Sequence, residues 1–169
     1  ASLLIATVVL VSGSWLSGVL RGQLETRIEA ELRRHLLAAR ELIQITPTME
    51  GILDVDPVAN RLGQAMQVRV TVIEEFGRVL GDSNIQTSQV HLMENHADRP
   101  ECSIARETGD IGIARRYSNT IKTEMLYAAM VYERDDSRGF IRVAMPLSEV
   151  QEYLQELRKT LWIAGLLAL

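Results

Sequence analysis

The sequence predicts an α+β domain that is built on an antiparallel five-stranded sheet and lies between two membrane helices. Three observations predict this fold: charged residues are confined to the middle of the chain, apolar residues recur every three or four positions near both ends, and they alternate with polar residues in between. All 18 Lys and Arg and all 22 Asp and Glu lie within residues 21–159. The 169 residues suffice for one domain of ordinary size.

The two ends of the chain have the composition of membrane helices. Residues 1–20 carry no charge, and a helix of 20 residues spans about 30 Å, the thickness of the hydrocarbon core of a bilayer. The apolar region of a secretory signal peptide is shorter, so we expect a transmembrane helix here. Residues 160–169 are also uncharged, and we expect the chain to end inside a second transmembrane helix.

The segments next to these membrane helices have the pattern of amphipathic helices. Apolar residues recur every three or four positions in residues 21–46, up to Pro47, and again in residues 147–159. We therefore expect two long stalk helices that continue the membrane helices outward. An apolar stripe of this length would be exposed on a lone helix, so we expect a homodimer. The residues of the predicted dimer interface are Leu24, Ile28, Leu32, Leu36, Ala39 and Ile43.

The strands of the sheet are predicted within residues 67–146. A hairpin is expected over residues 68–81, with Asp82 in the turn that ends it. Pro100 and Gly109 suit the first position and the end of a short helix. The predicted helix covers residues 100–108, and the three later strands cover residues 111–118, 124–132 and 139–145.

Alternation along the strands predicts which side chains face the core. The side chains expected to point inward are Val68, Val70, Val72, Ile141 and Val143. The side chains expected to point toward solvent are Arg69, Thr71, Arg142 and Ala144. The run of residues 125–131 is apolar on both faces, which predicts a central strand that is covered on both sides.

Composition argues against several classes of function. The net charge of −4 and a pI of about 5.4 argue against a nucleic-acid binder. Cys102 is the single cysteine, which excludes a disulfide framework and a cysteine-based zinc site, and we predict no metal site. Asp82, Ser83 and His96 are the residue types of a hydrolase triad, but the G-x-S-x-G motif is absent. We therefore predict no catalytic residues.

The predicted order of elements is helix, strand, strand, helix, strand, strand, strand, helix, which is typical of PAS-like sensor domains. Short segments in the same order resemble the sensor region of phosphate-regulon-type (PhoR-like) sensor histidine kinases. The segments that carry this resemblance are RVTVI at 69–73, GRVLGDS at 77–83, MENH at 93–96, RPE at 99–101, RYSNT at 116–120, MLYA at 125–128 and RVAMPL at 142–147.

The resemblance implies a homodimeric receptor of the bacterial inner (cytoplasmic) membrane, in contact with lipid, whose sensor domain lies on the extracytoplasmic side. A kinase core that uses ATP and Mg and acts on a response regulator would follow the second membrane helix. This chain itself needs no cofactor, and His35 lacks the acidic residue and the Pro of a phospho-acceptor motif. An extracytoplasmic or transport protein is a further partner, since control of a phosphate regulon does not require this domain to bind phosphate.

Two alternatives stay open, namely a membrane-tethered extracytoplasmic enzyme and an adaptor that binds another protein through its sheet. An enzyme needs only one tether. Two membrane-continuous helices that flank one domain instead form a mechanical path through the bilayer. The pattern therefore favours a receptor.

The ligand or signal-latch candidates are Asp82, Ser83, Asn95, His96, Arg99, Glu101, Arg116, Ser118, Thr120 and Tyr127. Their charges allow two interpretations. Asp82 and Glu101 can pair with Arg99 and Arg116 as a structural latch, which is the interpretation we favour. In the other, His96 and the two arginines hold an anion directly.

Overall fold

The computed structural model describes residues 2–45, 55–134 and 137–147 and the positions 156, 159, 160 and 163. The helices are α1 (Ser2–Ile45), α2 (Val55–Met66), α3 (Thr87–Val90) and α4 (Pro100–Thr108), and the strands are β1 (Arg69–Glu74), β2 (Val79–Asp82), β3 (Gly112–Ser118), β4 (Thr123–Arg134) and β5 (Ser137–Pro146). Contacts divide the chain into two compact units, Ala1–Ile28 with Pro146–Leu169, and Glu29–Met145. The predicted C-terminal stalk and second membrane helix lie almost entirely outside the described residues.

The five strands form one sheet in the order β2-β1-β5-β4-β3. β1 pairs antiparallel with β2 and with β5, and β3 pairs antiparallel with β4. The predicted α+β class, the five-stranded antiparallel sheet and the long N-terminal helix are thus confirmed. The run 125–131 lies in β4, an interior strand as predicted, with neighbours on both sides, although the last strand inserts between the hairpin and β4 and takes the middle position.

The short helix α4 begins and ends where the sequence predicts. Pro100 occupies its first turn, and Gly109 ends it in the left-handed conformation, with φ of 69°. The helix packs closely on the sheet, since a Cβ atom at Gly112 of β3 would collide with the carbonyl oxygen of Glu101. The backbone of α4 is therefore held against the edge of the sheet.

The helix α2 lies in a segment for which the sequence predicted no element. Pro57 stands in its first turn, where a proline is compatible with a helix. Its buried face includes Val58 and Leu62. This helix covers the hairpin, because a Cβ atom at Gly81 would lie 2.7 Å from Cα of Asp56.

The apolar stripe of α1 belongs partly to the core of its own chain. Leu32, Leu36, Ala39 and Ile43 are fully buried in a single chain. An exposed stripe was the reason for expecting a dimer interface, and that reason fails for these four residues. The two earlier positions, Leu24 and Ile28, are half-buried, and the homodimer stays a prediction.

Within the part of the chain that the structure describes, no helix combines the length and the apolar character needed to cross a bilayer. The two membrane helices stay predictions.

Both faces of β1 and β5 are covered, which corrects the predicted assignment of faces. The valines and isoleucine expected in the core are buried there. The side chains expected in solvent, Arg69, Thr71, Arg142 and Ala144, are also buried, each with at most 5% of its surface exposed. The physical reason is that α4 and the residues before it lie over this second face, where ion pairs replace the hydration of the arginines.

Candidate functional site

A buried ion pair joins the first two strands. Asp82 is fully buried and belongs to β2 rather than to the following turn. Nε of Arg69 donates to both of its carboxylate oxygens, at 3.0 and 3.1 Å, and Oγ1 of Thr71 donates to Oδ2 at 2.7 Å. The partner of Asp82 is therefore Arg69, not Arg99 or Arg116 as the latch interpretation expected.

A second buried carboxylate, Glu101, binds two arginines from different strands of the sheet. Nη2 of Arg116 in β3 donates to it at 3.0 Å, and Nη1 of Arg142 in β5 donates at 3.3 Å. Burial by itself would raise the pKa of Glu101, but the hydrogen bond from Arg116 and the charges of both arginines outweigh burial and lower the pKa below its usual value. The pair of Glu101 with Arg116 is the one that the sequence predicted.

Tyr127 contacts both guanidiniums that Glu101 binds. Cζ of Arg116 lies 3.8 Å from the centre of the tyrosine ring, and Cζ of Arg142 lies 5.1 Å from it. The ring is almost fully buried, so both contacts are cation–π interactions in a partly desolvated environment. The arginines are thus fixed by the ring as well as by the carboxylate.

These side chains border a cavity of about 340 Å³ on the face of the sheet that carries α4. Six predicted candidates line it, namely His96, Arg99, Arg116, Ser118, Thr120 and Tyr127. The lining residues that sequence reasoning did not propose for the site are Arg69, Ile85, Leu92, Met93, Glu94, Tyr117, Asn119 and Arg142.

Four predicted candidates do not line the cavity. Asp82 and Glu101 lie behind it as partners of its arginines. Ser83 accepts a hydrogen bond from the backbone of the first strand at 2.9 Å, and Asn95 donates to the carbonyl of Phe76 at 2.7 Å. These two side chains therefore fix the backbone around the hairpin.

His96 lines the cavity as a neutral ring. Burial, followed by the charge of Arg142, lowers its pKa to about 4. Its Nδ1 lies 2.6 Å from the carbonyl oxygen of Glu94, so Nδ1 carries the proton and donates. The lone pair then lies on Nε2, which makes the ring a hydrogen-bond acceptor on its other side.

Two arginines of the cavity wall each have a buried donor without a partner. Nε of Arg99 and Nε of Arg142 are buried, and neither finds a hydrogen-bond acceptor among the residues that the structure describes. Only 1% of Arg142 is exposed, so water does not readily reach this donor from outside. A buried donor without an acceptor is costly, and an acceptor that reached it would remove that cost.

Arg69 and Arg142 were missed because alternation with valine is the ordinary pattern of a strand with one face in water. The one signal in the sequence was their position inside two of the segments that carry the PhoR-like resemblance, RVTVI and RVAMPL. Their carboxylate partners stand 13 and 41 positions away, beyond the reach of any local pattern.

Comparison with known proteins supports a sensor fold. The profile of the family described as Single Cache-like matches residues 50–146. No curated protein matches the chain.

Solved structures of similar fold come from bacterial receptors. The ligand-binding domain of the Campylobacter jejuni chemoreceptor Tlp3 with L-norvaline has a TM-score of 0.62 at 15% identity, covering 88% of this chain and 62% of that chain. The sensor domain of the V. cholerae histidine kinase DctB has a TM-score of 0.60 at 16% identity, covering 82% and 57%. The E. coli DcuS sensor domain has a TM-score of 0.55 at 13% identity, covering 75% and 96%.

At these identities the likeness shows the fold alone. The chain spans about three fifths of the length of the Tlp3 and DctB structures that it matches. The expectation of a sensor domain is therefore confirmed at the level of a Cache-like fold, and the PhoR-like type stays a proposal.

Removing the charge of Glu101 should destabilise the domain strongly. We expect Glu101→Gln to lower the free energy of unfolding by about 3–5 kcal/mol, because it leaves the buried guanidinium of Arg142 without its counter-charge. Urea unfolding of the full chain in detergent micelles measures this loss. Glu124 pairs with Arg115 and is more exposed than Glu101, so Glu124→Gln should lower the free energy of unfolding by less than about 1 kcal/mol. Equal losses in the two variants would contradict the role assigned to Glu101.

Acidification should destabilise the fold through His96. The pKa of His96 is about 4 in the folded chain against an ordinary value of 6.5, so between these two values the unfolded chain binds a proton that the folded chain does not. Its contribution to stability is therefore lost as the pH falls from about 6.5 toward 4. We expect His96→Gln to lose less stability than the wild type between pH 7 and pH 5 in thermal melts.

The matched control is His91→Gln, since His91 is exposed on the same loop. This variant should follow the wild-type pH dependence. If His96→Gln also follows it, the buried neutral ring is not the cause of the acid sensitivity.

Proposed function

The chain belongs to the single Cache-like family, and from this we propose that it is the ligand-sensing region of a membrane-anchored receptor. The observation that carries the proposal is the cavity of about 340 Å³ with the two unpartnered donors of Arg99 and Arg142. Pockets for small molecules usually have volumes of about 300–1,000 Å³, so this one suits a small ligand.

The ligand that fits this cavity carries an oxyanion group. Guanidinium donors bind carboxylate and phosphate oxygens with charge-assisted hydrogen bonds. The hydroxyl groups of Ser118 and Thr120 add hydrogen-bond donors around the arginines, whereas neutral His96 offers only the acceptor Nε2 and does not bind the oxyanion. The carboxylates Asp82 and Glu101 are already paired, Asp82 with Arg69 and Glu101 with Arg116 and Arg142, and these pairs leave two arginine donors without an acceptor in the described part of the chain. We therefore favour direct binding of an anion over a purely structural latch.

We infer that the receptor is a two-component sensor histidine kinase of the PhoR-like type, related to phosphate regulation. The ordered segments that resemble PhoR-like sensors support this type, and the fold shared with the DctB sensor domain is compatible with it. The kinase core, with its ATP, Mg and response regulator, then belongs to a part of the receptor outside this chain.

We further propose that the domain lies on the extracytoplasmic side of a bacterial inner membrane, between membrane helices at residues 1–20 and 160–169. The uncharged composition of both segments supports this placement. The unbroken helix α1 would carry a change in the domain into the membrane. A homodimer would use the outer face of α1, where Leu37 and Ile45 are 46% and 71% exposed.

The proposed topology predicts labelling from outside the cell. Thr108 is exposed at the end of α4, so Thr108→Cys should react with a membrane-impermeant maleimide added to intact cells that express the full chain. The wild-type chain is the control, since Cys102 is fully buried and burial raises the pKa of its thiol to about 11. Labelling of Thr108→Cys only after lysis would contradict an extracytoplasmic domain.

Anion binding should raise the melting temperature of the full chain in detergent micelles. We expect at least one of butyrate, succinate and inorganic phosphate to stabilise it saturably. The reason is that the arginines are brought together only in the folded chain, so the anion binds the folded chain and not the unfolded one. Arg99→Gln should lower the affinity for the anion at least tenfold, so that a correspondingly higher anion concentration is needed for the same rise in melting temperature, since it removes a charged hydrogen bond to the anion.

Arg115→Gln is the matched control, because Arg115 is an exposed arginine of β3 that does not line the cavity. It should respond to the anions as the wild type does. A chain whose melting temperature responds to none of the three anions would contradict the proposed function.

A further inference from the structure

Glu94 and Arg99 form an ion pair at the mouth of the cavity. Oε2 of Glu94 accepts a hydrogen bond from Nη2 of Arg99 at 3.0 Å, and both side chains line the cavity. The Glu94 side chain is 83% exposed and that of Arg99 is 31% exposed. Nε of Arg99 is buried and without an acceptor. The guanidinium is thus bound by Glu94 through Nη2, while its buried Nε has no acceptor among the described residues.

The other two carboxylates of the site are held much more firmly. Asp82 and Glu101 are fully buried, and each accepts hydrogen bonds from two side chains. Removing such a carboxylate from its partners leaves buried charge uncompensated. An exposed pair such as Glu94 with Arg99 contributes little, because water screens its charges. Glu94 is therefore the carboxylate of this set that a ligand can displace.

The balance of charge in the site depends on Glu94. Four guanidiniums, those of Arg69, Arg99, Arg116 and Arg142, face the three carboxylates with which they pair. His96 is neutral because its pKa is about 4. The set therefore carries one excess positive charge while Glu94 stays in place, and it carries two when Glu94 is absent or displaced.

We propose that Glu94 selects the charge of the ligand, so that the site prefers a monoanionic oxyanion group over a dianionic one. A monoanion neutralises the single excess charge and bonds, without moving Glu94, to the guanidiniums of Arg142 and Arg99, each of which has a donor without an acceptor among the described residues. A dianion brings a second negative charge next to the Glu94 carboxylate, or must displace it. This inference rests on the proposed function, because it concerns the same cavity.

The test compares butyrate and succinate, which have four carbons each and carry one and two carboxylates. Calorimetric titration of the full chain in detergent micelles gives the ratio of the succinate affinity to the butyrate affinity. We expect this ratio to rise about fivefold in Glu94→Gln, which corresponds to the upper limit for an exposed ion pair. Inorganic phosphate is the third titrant. If phosphate alone binds, the cavity is a phosphate site rather than a carboxylate site, and Glu94→Gln should then raise the affinity for phosphate about fivefold.

Glu124→Gln is the matched control, because Glu124 pairs with an arginine outside the cavity. It should leave the ratio at its wild-type value. If the anions bind but the ratio of the succinate affinity to the butyrate affinity is unchanged or lower in Glu94→Gln, Glu94 does not select the charge of the ligand. The proposed function is then unaffected. Absence of binding of all three anions to both the wild type and Glu94→Gln would overturn the proposed function, and this inference with it.

Discussion

The buried ion pair between Arg142 and Glu101 is the interaction on which the rest of the site depends. It joins β5, the middle strand, to α4, and Glu101 also binds Arg116 of the edge strand β3. Nη2 of Arg142 donates to Thr71, which donates to Asp82. Neither charge of the central pair can be removed alone without leaving the other unpaired in the core, so helix and sheet are held together.

This network gives the cavity a buried floor and an exposed edge. The floor consists of charged groups that are buried and bound by several partners, whereas the edge contains the exposed pair of Glu94 with Arg99. A floor of buried charge contributes little net stability compared with a packed apolar core. It supplies instead preorganised donors, which would bind the proposed anion without first having to be oriented.

The same network extends through the hairpin to the opposite side of the sheet. The backbone N–H of Asp82 donates to Oδ1 of Asp56 in α2 at 3.1 Å. Hydrogen bonds therefore continue from Arg142 through Thr71 and Asp82 to a helix that does not line the cavity. A ligand bound to Arg142 would act on this connected set of bonds, which gives binding a physical route beyond the pocket.

The sequence by itself determined the secondary structure of this domain to within two residues at the strands and at α4, since periodicity, Pro100 and Gly109 act locally. It also brought His96, Arg99 and Arg116 into the candidate set. Only the tertiary structure decided that both faces of the sheet are covered, that Arg142 is buried and that Glu94 lies at the mouth of the cavity. The physical reason is that an arginine that alternates with valines can be solvated by water or can pair with a carboxylate 41 positions away. The local sequence is the same in both cases, so it does not distinguish them.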